Sequence, residues 1–263
     1  MTPSITIIGS GWLGAHFLRQ HATEFSQVIT TAKTQAQPYG SHHHILMDIY
    51  DPSTLPSLPP TDICLIAIPF SRQLTTPKRY TQAIGALLDH APMYKKLIFT
   101  SSTSVYPTCN DWVDESSPID TTPRAQALAA TETRVKQHAK STYILRLAGL
   151  CGGNRNSKHK CQAPTIHASQ TPVNLIHVND VVASIAALLS PDHSSHDTLN
   201  VCATDHPSKA DYYRHVCKTL TIHPPQFEPI IGPYKKVCNK KLREDYGVKL
   251  TFKSPLEFTF HET

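Results

Sequence analysis

Glycine is scarce in this chain: 10 glycines stand against 21 prolines in 263 residues. Glycine is therefore not used freely in turns, and each cluster of it carries information. Long apolar runs are missing too; nothing approaches the roughly 18 consecutive apolar residues of a bilayer span, which excludes a membrane-spanning protein. Charge is modest, with 17% charged residues and a formal net charge of +5. The basic residues are scattered apart from the KKVCNKKLR stretch, Lys235 to Arg243. That pattern is no nucleic-acid footprint and suits an anionic, phosphorylated ligand better. The seven cysteines are an odd number and form no CxxC pair, which argues against a disulfide framework and for reduced thiols. The start, MTPSITIIGSGWLG, has no basic segment before its apolar run and reads as a first strand rather than a secretory signal. A soluble cytoplasmic protein of one sizeable core is expected, with no nucleic-acid or membrane partner.

What is present alternates. Short apolar runs (SITIIGS, QVITTAK, HHILMDI, DICLIAIP, KKLIFTSS) are separated by amphipathic stretches such as LGAHFLRQHA and TQAIGALLDHA. This is the mark of βαβ units and a mainly parallel sheet, so the fold class expected is α/β, Rossmann-like and doubly wound. The pattern continues through a helix over 124–139, strands TYILRLAGL, NLIHV and DTLNVCA, and the helix VVASIAALLS. Two regions are expected: a dinucleotide-binding domain over 1–150, then a mixed region over 151–263. In the mixed region, 174–203 completes the sheet and the rest forms a small α+β lobe with a last strand at LTFK. The aperiodic stretch Cys151 to Pro172 reads as a long loop over the active-site cleft.

Gly9-Ser10-Gly11-Trp12-Leu13-Gly14 is a GxGxxG placed between an apolar strand and a helix. Its first glycine permits the tight turn, the second lets backbone approach a pyrophosphate, and the third lets helix and strand pack, while the helix N-terminus offers N–H donors. About twenty residues on, where an acidic residue would bind a ribose 2′-hydroxyl, the strand ends in Thr30, Thr31, Ala32 and Lys33. Hydroxyls and a lysine suit a 2′-phosphate, so NADP is expected over NAD. The expected cofactor-binding residues are Gly9, Gly11, Trp12, Leu13 and Gly14, with Thr31, Lys33, Asp48 and Ile68 at the following strand ends. Asp51 before Pro52 reads as a helix cap.

Further motifs carry a resemblance. LIFTSSTSVYP at Leu97 to Pro107, ILRLAGL at Ile144 to Leu150, NLIHVND at Asn174 to Asp180, and Lys236 to Leu242 with Asn239 follow one another in order. Together with the GWLG of the glycine loop they resemble the extended short-chain dehydrogenase/reductase superfamily, the NAD-dependent epimerases and dehydratases, over essentially the whole chain. The resemblance implies an oxidoreductase or epimerase acting on a small or nucleotide-linked carbonyl or hydroxyl substrate. It assigns a substrate-binding hydroxyl to Ser102, a packing role to Tyr106, and a homodimer interface to the helices over 81–90 and 124–139. It also places a Tyr-x-x-x-Lys pair at 124 and 128, counted back from Glu132. This chain has Arg124 and Leu128 there, and no tyrosine between Pro118 and Lys136.

Two readings follow. In one, Ser102 and Arg124 polarise a carbonyl while another group, such as Tyr80 or His177, moves the proton; Arg124→Ala then cuts turnover more than cofactor affinity. In the other, catalysis is lost and the protein is a dinucleotide-binding sensor or scaffold. Cys151, His159, Cys161 and His167 lack zinc-site spacing, and His42, His43 and His44 alternate faces of a strand, so no metal is expected. Arg146 is expected in a buried ion pair, Asp180 as a helix cap and His177 facing the cleft.

Overall fold

The computed structural model describes residues 2–34, 43–71, 76–190, 192–193 and 195–260; His42 lies outside them. Its elements are β1 Ser4–Ile8, α1 Trp12–His21, β2 Gln27–Ala32, β3 His43–Leu46, β4 Ile63–Ile66, α2 Lys78–His90 and β5 Tyr94–Ser102. There follow β6 Trp112–Val113, α3 Pro123–Lys136, β7 Ala139–Leu147, β8 Gly149–Cys151, α4 Lys158–Cys161, β9 Thr165–Ile166 and β10 Leu175–His177. The chain ends with α5 Val178–Leu188, β11 His196–Val201, α6 Lys209–Thr219, β12 Gln226–Phe227, β13 Lys236–Val237 and α7 Lys240–Glu244.

A seven-stranded sheet runs in the order β11-β7-β5-β4-β1-β2-β3. Pairing is parallel from β3 to β5. The fold is thus Rossmann-like α/β, as the alternating pattern predicts. The central strands are β-branched or apolar on both faces: Ile5, Ile7, Ile8, Leu65, Ile66, Ile98 and Phe99 have no exposed surface. Such runs are stable only under helices on both sides. From β1 the chain steps outward to β2 and β3, then returns to place β4 on β1's other flank. This reversal makes the β1/β4 boundary the switch point, where ligands bind beyond the carboxyl ends of the strands.

The chain forms two interleaved compact units, 1–105 with 119–146 and 185–199, and 106–118 with 147–184 and 200–263. A single cut at 150 does not describe this division, because β11 returns to the first unit and the β6 segment joins the second. In the first unit α2 and α3 pack together, with Thr81 Oγ1 2.9 Å from Thr131 Oγ1 and an Arg134–Asp89 ion pair. In the second, β8 pairs with β10, β9 with β12 and β6 with β13, and Cys151, Cys161, Tyr212, Cys217 and Phe258 share a buried cluster. All seven cysteines are free thiols.

Three expectations are corrected here. NLIHV does not extend the central sheet; β10 pairs with β8 because the long strand expected over 142–150 breaks at Ala148, whose N–H binds the Val201 carbonyl. LTFK is not a strand, since the N–H groups of Thr251 and Phe252 donate instead to the Asp180 carboxylate at 2.6 and 3.2 Å. Asp180 therefore fastens a distant segment rather than capping its own helix. The stretch from Cys151 to Pro172 is not one loop, because α4 packs on α6 and β9 pairs with β12. Among the described residues no helix is long and apolar enough to cross a membrane.

Candidate functional site

The turn between β1 and α1 lies at the switch point, and packing within the chain requires two of its three glycines. Gly9 has φ +89°, and a Cβ there would meet Ile68 Cγ1 at 2.9 Å and the Ala67 carbonyl at 3.1 Å. A Cβ on Gly14 would stand 2.9 Å from the Gly9 carbonyl and 3.2 Å from Ile7, so this glycine lets α1 lie against β1. A Cβ on Gly11 would meet nothing within 4 Å. Gly11 thus leaves the approach to the first turn of α1 open, and no side chain caps that turn and no acidic residue lies in it. The arrangement fits a dinucleotide's pyrophosphate: donors, a favourable dipole and room for close backbone approach.

Thr31 holds this loop. Its carbonyl accepts the Gly9 and Ser10 N–H groups at 3.1 and 2.8 Å and the Ser10 hydroxyl at 3.2 Å, and its Oγ1 lies 3.3 Å from Gly9 N. At 1% exposure its hydroxyl faces the turn, not a ligand, so the 2′-phosphate role expected of Thr31 falls to other groups. Leu13 is buried in the core, whereas Trp12 lies 4.7 Å from the His16 ring, whose Nδ1 donates to the Trp12 carbonyl.

Lys33, just past β2, reaches Asp48 at 2.9 Å. Burial alone would raise the Asp48 pKa, but the Tyr50 N–H together with Lys33 and Arg79 holds it below the ordinary carboxylate value. Tyr50 links the group: Lys33 Nζ lies 5.1 Å and Arg79 Cζ 5.4 Å from its ring centroid. Its buried hydroxyl has no hydrogen-bond partner among the described residues. Two cations thus surround one carboxylate, leaving positive charge for an anion. Sequence spacing gave no sign of Arg79 or Tyr50, which reach Lys33 only through the folding of the third strand and α2. Asp51 caps the turn Pro52–Thr54 by accepting from Ser53 N, as expected.

On the other flank, Ile68 and Phe70 follow β4. The Tyr80 hydroxyl donates to the Ile68 carbonyl at 2.8 Å, and Arg124 Nη2 to the Phe70 carbonyl at 3.1 Å. Tyr80 has no exposed surface, its hydroxyl proton is committed to the Ile68 carbonyl, and burial pushes its phenol up from its usual pKa. Ser102 ends β5, where its Oγ accepts the Ser104 N–H at 3.2 Å and keeps its own proton to donate. Arg124 stands at the start of α3, and Leu128, a turn later, is buried. Glu132 binds Arg146 as expected.

His177 belongs to the second unit. It is 4% exposed, 4.4 Å from the Phe252 ring, with Nε2 3.2 Å from the Thr259 carbonyl and so close to Gly152 that a Cβ there would meet it at 2.8 Å. It is enclosed rather than cleft-facing. Tyr106 packs at 1% exposure and donates to Asn200 Oδ1 at 2.7 Å.

No protein-family model matches the chain. Protein YeeZ of Escherichia coli K12 is 30% identical over 267 residues, covering 96% of this chain and 97% of that protein. MoeE5 in complex with UDP-glucose and NAD is similar in structure, with a TM-score of 0.77 at 15% identity over 96% of this chain and 95% of the other. A UDP-galactose 4-epimerase gives 0.75 at 19% identity, over 96% and 95%. Human epimerase family protein SDR39U1 with NADPH gives 0.75 at 14% identity, over 96% of both.

Proposed function

Because this chain belongs to the family of Protein YeeZ of Escherichia coli, and its glycine loop opens at the switch point of the sheet, we propose that it binds a nicotinamide dinucleotide. The reading extends to an oxidoreductase or epimerase of a small or nucleotide-linked carbonyl or hydroxyl substrate. The open approach at Gly11 carries it. The folds of proteins whose structures hold NAD or NADPH support it. NADP is the preferred cofactor, because Lys33 and Arg79 both flank Tyr50 while the one carboxylate there is already paired.

Gly9, Gly11 and the first turn of α1 would hold the dinucleotide's pyrophosphate, and the bound cofactor would supply hydride-transfer chemistry. Ser102 would donate from Oγ to a substrate oxygen beyond the end of β5. Phenol–lysine proton transfer is not part of the proposal: Arg124 stays protonated at ordinary pH, and Leu128 carries no charge. The alternative, a dinucleotide-binding sensor without catalysis, draws support from Arg124 being engaged by the Phe70 carbonyl.

The test is a side-by-side fluorescence titration with NADPH and NADH, followed by a screen of carbonyl substrates with Ser102→Ala as the control. Binding of either dinucleotide by the folded protein supports the cofactor site, and binding of neither overturns it. Lys33→Ala and Arg79→Ala should each weaken NADPH by roughly tenfold and NADH little. Turnover lost in Ser102→Ala with cofactor affinity kept supports the enzyme; a barren screen with firm cofactor binding favours the sensor.

A further inference from the structure

The segment leaving β4 is fixed at two carbonyls by residues from two helices. Tyr80 on α2 holds the Ile68 carbonyl and Arg124 on α3 holds that of Phe70. The Phe70 ring touches both, with Arg124 Cζ 4.2 Å and the Tyr80 ring 4.8 Å from its centroid. Ile68 in turn presses on the glycine turn, close enough that any Cβ at Gly9 would clash with its Cγ1 at 2.9 Å. The base of the segment is tied to β1 by the Ala67 N–H donating to the Ile8 carbonyl at 2.8 Å. The wall of the switch-point crevice opposite β2 is therefore Ala67 to Phe70, and Arg124 is its outer fastening.

We propose that Arg124 is a positioning residue for the dinucleotide, acting through Phe70 and Ile68 on the glycine loop, and that it does not polarise the substrate. Its guanidinium lies by the Phe70 ring and gives a hydrogen to main chain, so the cation is engaged with the protein at the place where an acid–base tyrosine is expected. A planar cation over an aromatic ring with a carbonyl in reach is the use to which arginine is better fitted than lysine. This rests on the proposed dinucleotide binding, and it reverses the signature expected from sequence: loss of Arg124 now falls on cofactor affinity.

The experiment titrates the full chain and its Arg124→Ala, Arg124→Lys and Tyr80→Phe variants with NADPH and NADH. Arg124→Ala is expected to weaken both dinucleotides by roughly tenfold with their ratio unchanged, unlike a 2′-phosphate contact. Methylguanidinium should restore part of the affinity of Arg124→Ala, against a matched sodium chloride control, and leave the wild type unaffected. Arg124→Lys should recover part of the loss. Tyr80→Phe, which removes one hydroxyl from the same clamp, should weaken both dinucleotides several-fold and serves as the test if Arg124→Ala does not fold. Unchanged affinities in Arg124→Ala, or in Tyr80→Phe should the former not fold, overturn the proposal, as does loss of turnover with affinity intact. Failure of the wild type to bind either dinucleotide is distinct: it overturns the cofactor reading itself.

Discussion

Arg146 on β7 and Glu132 on α3 form an ion pair of 2.7 Å with side chains 8% and 5% exposed. The pair is not isolated, because Ser101 donates its hydroxyl proton to the same carboxylate at 2.5 Å. Helix, strand and the end of β5 are thereby joined beside Ser102. Breaking a buried pair from one side leaves a charge that neither water nor protein satisfies. Glu132→Leu or Arg146→Met alone should therefore cost about 3–5 kcal/mol, and the double variant Glu132→Leu/Arg146→Met less than the two added. Urea unfolding of the four proteins decides this; additive costs would mean that the two side chains act separately.

Asp48 competes with any anion for Lys33. The pair is well exposed, with Lys33 58% and Asp48 33% accessible, so its own contribution is small. Asp48→Asn should leave stability within about 0.5 kcal/mol and tighten NADPH a few-fold without a matching gain for NADH. Equal gains for both dinucleotides would place the effect somewhere other than the 2′-phosphate.

Two histidines set an acid limit. Burial lowers the pKa of His138 and His206; the first donates from Nε2 to the Pro92 carbonyl at 3.1 Å, and the second from Nδ1 to that of Val173 at 3.1 Å. A histidine harder to protonate when folded binds its proton more readily in the unfolded chain. Stability should be full above about pH 6.5, the unfolded value, and should fall as the pH drops below it. Urea midpoints measured from about pH 7.5 to 5.5 should decline, and the slope should flatten in His206→Gln. An unaltered slope in that variant would remove His206 from the account.

Asp180 is fully buried and accepts from Thr251 and Phe252. An asparagine has one acceptor oxygen for two donors, so Asp180→Asn should cost about 1–3 kcal/mol. Limited proteolysis should then cut near 250–253 faster than in the wild type. Unchanged cleavage would show that the cluster around Phe258, not the carboxylate, holds this segment.

Much of the fold was legible because its signals are local. Apolar runs of strand length separated by amphipathic helices require a covered parallel sheet, and Gly9 and Gly14 lie within one turn whose geometry needs them, with Gly11 open between them. Ser102 could be placed for the same reason, at the end of a strand that its own sequence defines. The other site assignments depended on partners distant in sequence. Thr31 reads as a ligand-facing hydroxyl until the register of β2 beside β1 turns it under Gly9. Tyr80 and His177 read as candidate proton carriers until packing encloses them.

The sequence by itself determined the α/β class, the glycine turn and the absence of a tyrosine at 124, since each depends on residue type and short spacing. Tertiary structure alone decided what the side chain at 124 meets. Arg124 meets Phe70 across 54 positions of chain, and Asp180 meets Thr251 across 71. Such contacts form only when hydrophobic burial brings separate elements together, and no periodicity within either segment records them.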